Sequence, residues 1–224
     1  MDRIAAVAAL GDPVRRRLYE YVVAADAPVG RDEAARGAGV PLHSARFHLD
    51  RLVGAGLLEV SYARLGGRSG PGAGRPSKLY RRAGVEVAVS LPPRSYDLVG
   101  AVLAAAVERV LDGGDLTAAL HEEAHANGRA VGSSYDETGA LVTGDELDRV
   151  AGALGGAGFE PRREHDEVAL HNCPFDALAR DHTELVCGVN LDFVTGVLDG
   201  LGCASARAHL RPEPEHCCVR VSAD

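Results

Sequence analysis

Apolar residues fall at Val14, Leu18, Tyr21 and Val22 of "GDPVRRRLYEYVV", the three- and four-residue spacing of an amphipathic helix. Asp12 is placed to cap that helix, and Pro13 suits its first position. The next stretch, "GRDEAARGAGVPLHSARFHLDRLVGAGLLEV", holds two helical patterns separated by "GAGVP", whose glycines and proline permit a sharp turn. In the second of these helices Ala45, Leu49 and Leu52 share a face that can bury. His43, Ser44, Arg46, Phe47 and Arg51 are left on or near the opposite side, and His48 is expected as a structural histidine facing the hairpin that follows. That hairpin is read from two strand-like runs, "LLEVSYARL" and "SKLYRRA", joined by the Gly- and Pro-rich "GGRSGPGAGRP".

Beyond residue 85 the pattern changes. "VEVAVSLPPRS" reads as a linker over 86–93, its paired prolines stopping regular structure. Two long helical patterns follow, the first with an apolar face of Leu98, Val102, Ala105 and Val110 that suits either a partner helix or the chain's own core. The remainder alternates helices with short strands. It predicts an α+β domain with a small antiparallel sheet, so that the chain divides into 1–85, the linker 86–93, and 94–224 as a helical dimerisation region with an α+β sensor domain.

Charge sharpens that division. Residues 1–90 carry fourteen basic against nine acidic side chains, and residues 91–224 carry ten against twenty-three. A positive first part on a chain of net charge −8 points to nucleic acid as partner of that part. Arg64, Arg68, Arg75 and Lys78 lie in or beside the hairpin, where they can meet phosphates or the minor groove. No apolar run reaches the length of a membrane helix and the start lacks a signal-peptide pattern, so a cytoplasmic protein with no membrane partner is expected.

The stretches "GDPVRRRLYEYV", "GVPLHSARFHLDRLVGAGLLE" and "GRPSKLYR" resemble the ArsR-type winged helix-turn-helix transcriptional regulators over about the first 85 residues. The resemblance implies a homodimer on double-stranded operator DNA, with His43, Ser44, Arg46 and Phe47 at the exposed start of the recognition helix. Two recognition helices about 34 Å apart would read a pseudo-palindrome.

All five cysteines lie between Cys173 and Cys218, which argues against a secreted disulfide framework and for metal binding or redox chemistry. Cys173 is expected at a strand end, Cys187 at a helix start, Cys203 after that helix and Cys217 at the last strand. Backbone N–H groups at such places stabilise thiolates that ligate an iron-sulfur cluster. Adjacent Cys217 and Cys218 would point to opposite faces if extended, so one of them is expected at the site. Intervals of 13, 15 and 13 residues are no C-x-x-C knuckle. With "NCPF", "ELVCG" and "CCVRV" they are similar to the second domain of the SufR-type iron-sulfur-sensing repressors. That resemblance implies a cluster, 4Fe-4S in preference to 2Fe-2S, on Cys173, Cys187, Cys203 and Cys217, with Cys218, His171, His182 or His216 as alternative ligands. Zinc or a small-molecule effector is the other reading.

One motif points elsewhere. His121, Glu122 and His125 spell H-E-x-x-H on a helical pattern, the arrangement of a zinc hydrolase. No third ligand follows at a recognised spacing, and a solvated helix face is the expectation; the chain is read as a regulator and not as an enzyme.

Overall fold

In the computed structural model, which describes residues 2–63, 76–137, 144–213 and 216–223, the Asp12 carboxylate accepts hydrogen bonds from the N–H groups of Val14 and Arg15 at 2.8 and 3.0 Å. With Pro13 as first helical residue this starts α2 (Pro13–Ala24), which follows a short α1 (Arg3–Ala9) absent from the sequence reading. Arg15 and Arg16 turn back and donate to the carbonyls of Ala9 and Leu10, closing the end of α1. The two-residue strand β1 (Val29–Gly30) leads into α3 (Arg31–Gly37), and Gly39, at a φ of 63°, makes the turn into α4 (Leu42–Gly54). Strands β2 (Leu58–Ala63) and β3 (Ser77–Arg82) pair antiparallel with Val60 opposite Tyr80, and the sheet order is β1-β3-β2.

The apolar stripes meet as the spacing requires. Leu18 and Val22 of α2, Ala34 of α3, Ala45, Leu49 and Leu52 of α4, and Tyr80 of β3 form one buried core. The chain divides into two units, Met1–Val89 and Ser90–Asp224, and this core belongs to the first.

The second unit opens with α5 (Tyr96–Leu111) and α6 (Leu116–Glu137) and continues with α7 (Glu146–Gly156). Strands β4 (Pro161–Glu164) and β5 (Glu167–Leu170) precede α8 (Asp176–Asp181) and the long α9 (Thr183–Gly200), and β6 (Ala206–Leu210) and β7 (Val219–Ala223) complete it. The sheet is antiparallel throughout, in the order β4-β5-β7-β6. Val168, Leu170, Val219 and Val221 pack with Leu154 of α7 and with Phe193, Val194 and Val197 of α9, while Phe159 stacks on Phe193.

On α5 the buried residues are Val99, Val102 and Ala106, so the apolar face is rotated from the one expected. Val110 is exposed, together with Leu103, Val107 and Leu111.

The closest helix pair in the unit, α6 with α9, depends on glycine. Gly128 and Gly132 of α6 face Gly196 and Gly200 of α9, and a Cβ on any of the four would fall inside van der Waals contact of the opposite backbone. Contact at Gly128 is with the Phe193 carbonyl, and at Gly196 with the His125 carbonyl. The two helices run in the same direction, with His121 opposite Asp192 and His125 opposite Asp199. Small residues four apart on both partners permit this approach.

Candidate functional site

Burial of Ala45, Leu49 and Leu52 fixes the rotation of α4 and leaves His43, Arg46, Phe47 and Arg51 exposed, with Ser44 half-buried. Phe47 is 59% exposed, an aromatic ring held in water by its helix. The Arg51 guanidinium lies 5.9 Å from its centroid, a cation-π contact that presents ring and charge together. His43, Arg46, Phe47, Asp50 and Arg51 line a shallow depression of about 340 Å³.

Lys78 is placed differently from a free phosphate contact. Its Nζ donates to Asp50 Oδ1 at 2.5 Å and lies 5.1 Å from the Tyr80 ring, while the Tyr80 hydroxyl donates to the same carboxylate at 3.4 Å. The Asp50 hydrogen bond raises the Lys78 pKa above the usual lysine range, so the ammonium is held charged. Arg46 stands 3.8 Å from the other Asp50 oxygen. Arg64, Arg68 and Arg75 lie outside the described residues. His48, expected to face the hairpin, has its Nδ1 4.0 Å from the Asp12 carboxylate that caps α2.

The thiols of the second unit come together from three places. Cys173 follows β5 and packs against the core that contains Cys217. Cys217 accepts from the side-chain amide of Asn190 at 3.1 Å, and its own N–H donates to the Leu170 carbonyl at the end of β5. Cys187, in the second turn of α9, is buried. The contact with Cys217 holds the Cys173 thiol below the usual cysteine range, and the same contact pushes Cys217 up. Burial, reinforced by Cys218, pushes Cys187 up to about 12. Cys173 is therefore the thiol that ionises first, with Cys217 keeping its proton and donating it.

This set differs from the expected one in its fourth member. Cys203 lies beyond the far end of α9, and the helix length between it and Cys187 corresponds to about 20 Å. Its N–H closes the helix on the Leu198 carbonyl, and its side chain packs against the core. Cys218 takes the place beside Cys187. The expectation that Cys217 and Cys218 point to opposite faces holds for extended backbone, whereas β7 starts only at Val219 and Cys218 sits in a bend. His171 contacts His216 edge-on, with ring centroids 4.5 Å apart, and its Nε2 is 3.7 Å from Glu164. His182 stands at the start of α9 beside a groove of about 620 Å³ shared with Leu120, His121, Glu184 and Val189.

Among the described residues no three His, Cys, Asp or Glu side chains converge on a point that could hold one metal ion. A zinc ion needs its sulphurs at about 2.3 Å from a common centre. The H-E-x-x-H residues are drawn apart. His121 pairs with Asp192, His125 with Asp199 at 2.8 Å, and Glu122 with Arg109 of α5.

Residues 10–61 match the family model of a helix-turn-helix domain. The match spans α2 through most of β2, so the exposed face of α4 belongs to a DNA-binding domain and the coarse function is that of a transcription regulator. No curated protein and no solved structure matches the chain. Among the described residues no helix is long and apolar enough to cross a membrane.

Two residues beside these sites were not found from the sequence. Asp50 of the helix-turn-helix domain reads as a solvated charge in "FHLDRL", yet it ties α4 to β3. Asn190 is an amide in the apolar run "VCGVNLDFV", three residues after Cys187 and so on the same helix face. Asking what partner a buried amide would have there is the signal that leads to it.

Proposed function

We propose that the chain is a homodimeric transcription regulator, of the SufR-like kind, whose affinity for operator DNA is controlled by an iron-sulfur cluster on Cys173, Cys187, Cys217 and Cys218. What supports this reading is that the thiols of Cys173, Cys187, Cys217 and Cys218, from the end of β5, the start of α9 and the residues before β7, perturb one another's ionisation. When bound, a cluster would supply an oxidation-sensitive link among those three elements. The residues themselves supply the rest. The N–H of Phe175 favours the thiolate of Cys173, the form that a ligand must take, and Asn190 donates to the Cys217 sulphur. Freed thiols would release the segment before β7 from α9, a two-state change of the kind that switches regulators. A reducing cytoplasm suits such a site.

Dimerisation is supported by α5, whose outward face exposes Leu103, Val107, Val110 and Leu111. A single recognition helix makes a small contact, and two would read a pseudo-palindromic operator as repressor dimers do. The thiol pairs also favour a second reading, a dithiol-disulfide switch with no metal.

Gel-shift titration of one operator fragment with anaerobically loaded and cluster-free protein tests the proposal. An affinity difference of about tenfold or more, in the range of allosteric coupling, is expected. Equal affinities contradict it, and a difference that follows thiol oxidation without iron favours the switch.

A further inference from the structure

Asn172 lies between β5 and α8, one residue before Cys173, and is 6% exposed. A buried amide needs partners for its N–H groups and its oxygen, and all are met here. Nδ2 donates to the Pro93 carbonyl at 2.9 Å and to the Gly158 carbonyl at 2.8 Å, while Oδ1 accepts from Arg94 Nη1 at 2.5 Å. The same Arg94 nitrogen reaches the Cys173 carbonyl at 3.4 Å, and Nη2 stands 3.7 Å from the Asp176 carboxylate. Ser95 adds two bonds at 3.1 Å, from its N–H to the Pro174 carbonyl and from its hydroxyl to the Ala157 carbonyl.

The place of these residues in the chain gives the contact its meaning. The first unit ends at Val89 and residues 90–93 are exposed, so Pro93, Arg94 and Ser95 are where the chain arriving from the helix-turn-helix domain is tied into the second unit. The partners Asn172, Cys173 and Pro174 are consecutive. A backbone change at Cys173 is therefore delivered to that joint without an intermediate element.

We propose that Asn172 is the residue that couples the thiol site to the DNA-binding unit: it adjoins Cys173 in sequence and holds Pro93 and Arg94, through which the two units are joined. This rests on the reading of Cys173 as part of a site that changes state. The coupling runs through a backbone shift at one loop, and the hydrogen bonds named above are its parts.

The test uses the full-length protein and three measurements. In hydrogen exchange, Asn172→Ala should speed exchange at residues 94–97 by about tenfold, the effect of losing a hydrogen bond to a charged group. Arg149→Ala, which breaks an arginine-carbonyl bond elsewhere in the second unit, should leave that peptide unchanged. Arg94→Ala opens the joint from its partly exposed side and serves where the buried substitution costs the fold. The second measurement needs no metal: Cys173→Met enlarges the side chain at 173 and should speed exchange at 94–97 in the parent but no further in Asn172→Ala. The third compares affinity, with and without a cluster assembled anaerobically from iron and sulfide, for a duplex the protein selects from a random-sequence library. A difference of about tenfold in the parent should fall below about twofold in Asn172→Ala and Arg94→Ala, with iron content unchanged. Exchange at 94–97 that ignores Asn172→Ala and Arg94→Ala, additive effects of Cys173→Met and Asn172→Ala, or a full affinity difference in these variants overturns the proposal. A parent that assembles no cluster, or binds DNA equally with and without one, contradicts only the functional reading, and the two exchange measurements then decide the coupling.

Discussion

Lys78 donates to Asp50, so β3, the strand that leaves the wing, is fastened to the third turn of α4. A lysine so engaged is less available to a phosphate than an arginine in open solvent. Arg51→Ala is expected to flatten the dependence of log K on log salt by about 0.9, one phosphate's worth, and Lys78→Ala by clearly less. Anisotropy titrations at several salt concentrations measure both slopes, and equal changes contradict the assignment.

Phe47 and Leu49 are neighbours on one helix with opposite surroundings. Phe47→Ala should change unfolding stability by no more than about 0.5 kcal/mol, as exposed positions do, while weakening operator binding. Leu49→Ala should cost about 2–5 kcal/mol of stability through its cavity. Urea unfolding beside DNA titration separates the two, and a Phe47→Ala protein that binds normally would remove the ring from the interface.

The α6–α9 crossing admits no side chain at Gly128, whereas a Cβ on Gly188 of α9 would meet nothing within 4 Å. Gly128→Ala is expected to destabilise the second unit by about 1–3 kcal/mol by forcing the helices apart. Gly188→Ala should stabilise by about 0.5–1 kcal/mol, the ordinary gain of replacing a helical glycine. Thermal melts of the two variants should move in opposite directions.

Asp145 caps α7 and receives Arg163 Nη1 and Nη2 at 2.7 and 2.8 Å, which holds its carboxyl at about 2, below the ordinary 3.8. A depressed carboxylate stabilises the fold above its unfolded value, and the contribution disappears as pH falls from 3.8 to about 2. Asparagine also caps helices, so Asp145→Asn isolates the charge. The melting temperature of the variant should lie below that of the parent at neutral pH, and the gap should close across that acid window; a gap independent of pH contradicts the assignment.

The first unit was legible because a buried stripe at helical spacing fixes which side of α4 is left over, and the leftover side is the candidate DNA-facing surface. The thiol site was legible in its residue type and region only. Cysteine intervals measure distance along the chain, and the 15 residues from Cys187 to Cys203 are mostly helix, which carries the two apart. The choice between Cys217 and Cys218 turned on one bend that no periodicity encodes. The α6–α9 contact was equally hidden, since four glycines spaced for backbone contact look like weak points in a helix until the partner helix is known.

In the proposed site Cys173, Cys187, Cys217 and Cys218 hold one iron-sulfur cluster. The visible spectrum of protein purified without oxygen, with iron and labile sulfide assays and single serine variants of each cysteine, tests this. A coloured protein that bleaches in air, loses iron in Cys173→Ser and Cys217→Ser, and keeps it in Cys203→Ser is expected. A colourless protein without iron or sulfide, or one that needs Cys203 as much as Cys173, would contradict it.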